Sequence, residues 1–247
     1  MSNAVYLRFG KLFFAVAILA IGVIHPVTRN FPTGLMPVPA NLSGRIILVY
    51  ITGITLVLAG LMLLIEKFAR CGAMVATIVW SLLFVLLDLP ALIPHLHDPG
   101  PWTVTFETAG MLSGALMLLN GNNLYKLIAK YLFLSALIVF GIQHYIYLKF
   151  ITTLIPGWLP GHLFWAWVVM IAFFGAALSI LINIKVRLTA LLLSLMFLLW
   201  VVILHLPRAF GSMNSEPEWT SLFVALAMCG VSLLLVAETT ENTGGKK

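Results

Sequence analysis

The sequence predicts an all-α integral membrane protein with eight transmembrane helices, arranged as two parallel four-helix repeats. Three observations lead to that fold. Of the 247 residues, 62% are hydrophobic and only 9% are charged, whereas a soluble domain carries about 25% charged residues. Eight apolar stretches approach the roughly 20 residues needed to cross a lipid core about 30 Å thick. The two halves of the chain also carry matching residues at nearly constant spacing.

The apolar stretches are Lys11–Val27, Arg45–Ile65, Cys71–Leu89, Thr105–Leu119, Leu127–Leu148, Leu163–Ile184, Leu188–Leu206 and Trp219–Val236. Together they leave only short connections and no room for a soluble domain. The first has the basic flank and small residues of a signal peptide. Because it has a partner later in the chain, it is read as a retained helix. Cys71 and Cys229 fall at different depths and belong to no CxxC pair, so both are expected as core thiols.

Orientation follows from basic residues, which favour the cytoplasmic side. With the N-terminus inside, ten of the 14 Lys and Arg residues lie inside and four outside. Both termini are therefore expected to be cytoplasmic, in a multi-pass protein of the cell (inner) membrane. The formal net charge of +6 is explained by topology and by contact with anionic lipid. No basic stripe with interleaved aromatics occurs, so nucleic acid is set aside and the lipid bilayer is the expected partner. The outer connections hold most of the prolines. They cannot cross lipid as irregular backbone and must lie at the surface or be shielded by protein.

The repeat rests on ordered matches. Gly22-Val-Ile-His25 corresponds to Gly141-Ile-Gln-His144, and Pro37 to Pro156, both 119 residues apart. Arg70 corresponds to Arg187, Asp88-Leu-Pro90 to His205-Leu-Pro207, and Trp102-Thr103 to Trp219-Thr220, all 117 apart. The repeats are placed at 1–124 and 125–247, the second with a short polar tail. Four helices is an even number, so the units point the same way, related by an axis along the membrane normal.

This pattern resembles the DoxX-like superfamily of four-helix membrane proteins, here doubled. The resemblance is carried by G-x-x-H closing a first helix, a proline before the second, an arginine opening the third, and Trp-Thr in the fourth. It is closest over about 130–236. It implies membrane redox chemistry linked to quinone or another cofactor, with a soluble or membrane redox partner.

All six histidines, His25, His95, His97, His144, His162 and His205, fall on the outer side. Histidine is the common proton shuttle and metal ligand near neutral pH. His25 and His144 are equivalent, and a shared cavity between them would suit a haem, a metal or a quinone carbonyl. The plain alternative is that each imidazole hydrogen-bonds a loop carbonyl or carboxylate. Asp88 and His205 are also equivalent. A carboxylate near lipid needs a partner, for which Arg45 and Arg208 are candidates. Glu107, inside the fourth helix, is expected to face protein. His95-Leu-His97-Asp98 is a candidate metal cluster, although no established metal-enzyme signature is present. Gly110-x-x-x-Gly114 permits close helix packing.

These residues point to a ligand- or cofactor-linked site at the extracytoplasmic face. Two other readings stay open, a non-catalytic anchor for a partner enzyme and a carrier of a small neutral solute.

Overall fold

A computed structural model describes residues 2–119 and 121–239. Every regular element among them is helical, because lipid offers backbone N–H and C=O groups no partner and a helix satisfies them within itself. In chain order the helices are α1 (Asn3–Thr28), α2 (Arg45–Leu64), α3 (Ala69–Leu83), α4 (Leu89–Leu92), α5 (Gly100–Leu119), α6 (Asn123–Ile146), α7 (Leu148–Leu154), α8 (His162–Ile182), α9 (Val186–Trp200), α10 (Leu206–Gly211) and α11 (Glu216–Glu238).

Seven segments are long and apolar enough to cross a membrane: Asn3–Thr28, Arg45–Leu64, Glu66–His95, Asn123–Ile146, His162–Ile182, Val186–Gly211 and Glu216–Glu238. The protein is thus a multi-pass helical membrane protein. The sequence predicts eight spans, and the remaining stretch forms α5. Pro101, Thr103, Thr105, Glu107 and Thr108 hold its hydropathy below that of the others. Eleven of its 20 residues are buried, packed among α3, α6 and α11. A helix sheathed by its neighbours meets little lipid and can carry polar residues on its protein-facing sides.

Two of the spans are interrupted in the same way. A π-helical turn at Phe84–Asp88 follows α3, and another at Val201–His205 follows α9. Leu89 N–H reaches back five residues to the Phe84 carbonyl, and Leu206 N–H to that of Val201. The next residue is Pro90 in one case and Pro207 in the other, each without the N–H that would continue an α-helical ladder. Single π turns of this kind recur at functional sites because they re-aim the side chains they carry.

The core is built around α1 and α11. A Cβ on Gly10 would lie 2.9 Å from the Gly230 carbonyl oxygen, and one on Gly230 would lie 2.8 Å from that of Gly10. On α5, a Cβ on Gly114 would meet the Phe14 ring at 2.6 Å. Without a hydrophobic drive between helices in lipid, such close backbone approach is what holds them together.

The helix ends define two faces. At one, Asn3 Nδ2 donates to the Thr239 carbonyl at 3.3 Å, Lys11 pairs with Glu66, and Arg187 Nη1 donates to Asn3 Oδ1 at 2.6 Å. At the other, Thr33 N–H and Oγ1 donate to Glu216 Oε2 at 3.3 and 3.1 Å, and Gln143 binds the start of α5. The histidines belong to this second face: they end α1 and α6, close the second π turn, open α8 and sit in the α4–α5 connection.

The Gly10–Gly230 contact yields a prediction. Gly230→Val should cost about 1–3 kcal/mol of stability by overpacking, read as a lower melting temperature in detergent. Gly175→Ala, whose added methyl meets no atom within 4 Å, should leave it unchanged.

Candidate functional site

A cavity of about 380 Å³ opens within the histidine-bearing face, between α5, α6, α7, α8, α9, the second π turn and α11. Its walls are largely apolar, and Phe140, Phe173, Phe197, Trp165 and Trp200 give them several aromatic faces. Glu107, Gln143, His144, His205, Thr103, Ser221 and Tyr147 supply the polar groups.

His144 is fixed by its own helix. Its Nδ1 lies 2.9 Å from the Phe140 carbonyl oxygen, and its ring stands edge-on to Phe173, 5.1 Å between centroids. A carbonyl only accepts, so Nδ1 carries the proton. In the neutral ring Nε2 is then a bare acceptor, and it has no hydrogen-bond partner among the described residues. Beside it, the Gln143 amide donates to the Pro99 carbonyl at 3.0 Å and to Thr103 Oγ1 at 2.6 Å, tying α6 to the start of α5. That tie sets the distance between His144 and Glu107 across the cavity.

Glu107 is half-buried, reaches the cavity from α5 and hydrogen-bonds no other described side chain. His205 is delivered by the π turn. Just beyond it, Arg208 grips Glu218 with a bidentate fork, Nε to Oε2 at 2.9 Å and Nη2 to Oε1 at 2.5 Å. This pair pins α10 to α11 and fixes the far side of the π turn.

The first half of the chain is arranged differently. His25 has the same internal bond, with Nδ1 2.8 Å from the Ile21 carbonyl oxygen. Its Nε2, however, lies 3.3 Å from Met36 Sδ, and Phe31 stands edge-on to it at 5.6 Å. His25 is fully buried, and it does not line the cavity that holds His144. The structure therefore brings His144, but not His25, to this cavity. Met36 and Phe31, folded in from the loop after α1, occupy the space beside His25.

The pairing expected for Asp88 also changes. Arg208 is taken by Glu218, whose carboxylate matches its fork. Arg45 lies over the Phe31 ring, 5.4 Å from its centroid, with a buried Nε that has no hydrogen-bond partner. Asp88 is 1% exposed, and neither carboxylate oxygen has a partner among the described residues. Thr108 of α5 interacts with that carboxylate, but its buried hydroxyl stays outside hydrogen-bond geometry.

The His95–His97 segment gathers no metal set. Both imidazoles are exposed, His95 Nδ1 faces the Ala91 carbonyl oxygen at 3.0 Å, and Asp98 accepts from Gly100 N–H. Among the described residues no group of three His, Cys, Asp or Glu side chains could hold a metal ion. Cys71 and Cys229 are both free.

Sequence reasoning missed the cavity wall. Gln143 stands inside the G-x-x-H motif, yet its role depends on α5. Phe173, Phe197 and Trp200 look like any lipid-facing aromatic until α8 and α9 are packed. No protein-family model, curated protein or solved structure matches the chain.

Thr108 provides a second prediction. Removing a buried hydroxyl that makes no hydrogen bond is neutral or favourable. Thr108→Val should melt no lower than the parent and gain up to about 1 kcal/mol, whereas a structural hydrogen bond to Asp88 would make the same change destabilising.

Proposed function

We propose that the second half of this protein binds a flat, lipophilic ring of the quinone class, making the chain a membrane redox component of DoxX-like type. The observation that carries this reading is the meeting of Glu107, His144 and His205, none of them hydrogen-bonded to another described side chain, on the walls of one largely apolar cavity. Small-molecule sites are typically apolar hollows of roughly 300–1,000 Å³ with a few convergent polar groups, and a volume of about 380 Å³ falls in that range. The aromatic faces suit a planar ring. A haem shared between His25 and His144 is not favoured, because Met36 and Phe31 stand beside His25.

When bound, a quinone supplies two-electron, two-proton redox chemistry. The chain's contribution is to hold and move protons at His144 Nε2, the Glu107 carboxylate and His205, and to keep water from the ring with Phe140, Phe173 and Trp165. Electrons would pass to or from a separate soluble or membrane redox partner.

The wider reading is an eight-span bundle of two parallel repeats, with α5 as the remaining span. Three parallels support it: the matched π turns before Leu-Pro, the matched His25 and His144 bonds to carbonyls four residues back, and the similar packing of α1 on α2 and of α6 on α8. The excess of Lys and Arg on the face opposite the histidines supports cytoplasmic termini in an inner membrane.

Two experiments test these points. Trp165 and Trp200 line the cavity, so trimethyl-1,4-benzoquinone should quench the fluorescence of the detergent-purified protein saturably. Phe173→Ala and Phe197→Ala, which each remove an aromatic wall of the cavity, should each weaken binding by about tenfold, the equivalent of 1.4 kcal/mol. Non-saturable quenching, unchanged in both variants, would mean simple partition into the micelle. A C-terminal fluorescent-protein fusion should be bright and a C-terminal alkaline phosphatase fusion inactive; the opposite pair of results would invert the topology.

A further inference from the structure

We infer that this cavity selects a ring bearing hydroxyl donors, the reduced form, over the same ring bearing carbonyl acceptors. The inference rests on the reading that the cavity binds such a ring, and adds which of its states the chain's own residues hold.

Several hydrogen-bonding groups on the cavity wall have a fixed sense. His144 Nδ1 is committed to the Phe140 carbonyl at 2.9 Å, which leaves Nε2 as an acceptor toward the cavity. The Gln143 amide nitrogen is spent on the Pro99 carbonyl and Thr103 Oγ1, at 3.0 and 2.6 Å. Because the Pro99 carbonyl can only accept, the amide cannot be flipped, and Oε1 is the part left over. On the donor side, the Trp165 indole N–H is spent on the Pro160 carbonyl at 3.1 Å, leaving Trp200 as the indole donor still available. The Thr103, Ser221 and Tyr147 hydroxyls, the Glu107 carboxyl group and the His205 ring can serve in either sense. Acceptors of fixed sense therefore outnumber donors of fixed sense. A ring that brings hydroxyls satisfies the surplus. A ring that brings only carbonyls leaves buried acceptors facing acceptors, and polar groups left without partners are what make such sites reject an analogue.

The test is anaerobic isothermal titration calorimetry at neutral pH on the full-length protein in detergent, with trimethylhydroquinone and trimethyl-1,4-benzoquinone as the two probes. The hydroquinone should bind about tenfold tighter. His144→Phe keeps an aromatic ring against Phe173 but removes the acceptor, and should erase that preference by weakening the hydroquinone alone. Trp200→Phe removes the remaining indole donor and should widen the preference for the hydroquinone by weakening the quinone; it is the independent variant should His144→Phe fail to accumulate. Equal or tighter binding of the quinone by the parent protein would overturn the inference while leaving the cavity a ring-binding site. Failure of both probes to bind would overturn the ring-binding reading itself, and this inference with it.

Discussion

A polar group inside lipid must find a partner within the protein, and the architecture of this chain follows from that constraint. Backbone groups meet it by forming helices. Side chains meet it by lying at the two helix-end faces or by turning toward a neighbour. Where the ladder is broken, at the π turns before Pro90 and Pro207, the interruption lies near one face and delivers Asp88 and His205 to the protein interior. The close contact of α1 with α11 through Gly10 and Gly230 closes the bundle. It also lets α5, polar on its inner sides, stay covered.

The two halves apply one device with different results. Each ends a helix in G-x-x-H and bonds the histidine's Nδ1 to the carbonyl four residues back, which fixes the ring and aims Nε2 away from its own helix. In the first half Met36 Sδ lies 3.3 Å from that nitrogen and Phe31 packs on the ring. In the second half no loop side chain fills the place, and a cavity of about 380 Å³ takes it. The first half thus packs its histidine, and the second leaves a space lined by ionisable groups. Asp88 and Thr108 mark the first half as well, as buried polar groups with no hydrogen-bond partner among the described residues.

Much of this fold was legible in the sequence. Apolar runs located every long helix, and the proline-rich connections marked the ends. The sequence predicted eight spans, and seven segments are long and apolar enough to cross; the eighth stretch, α5, carries polar residues and is largely covered by its neighbours, and such sheathing leaves no trace in a hydropathy profile. Clustering of the histidines at one face was visible as well. The partners of individual side chains were not: Arg208 grips Glu218 and not Asp88, and His25 is closed by a methionine eleven residues on. Those outcomes depend on how loops fold back over helix ends, which residue spacing does not encode. The aromatic part of the cavity wall was hidden for a similar reason, since α8 presents Phe164 and Phe174 outward and Phe173 inward.

The central claim is that a ligand enters the second half and not the first. Nitrogen-15 NMR of the histidine-labelled protein, with and without trimethylhydroquinone, tests it most directly. The account predicts that His144 and His205 ring resonances move on titration while those of His25 stay fixed. Movement of His25 in place of His144, or no movement at saturating probe, would contradict it.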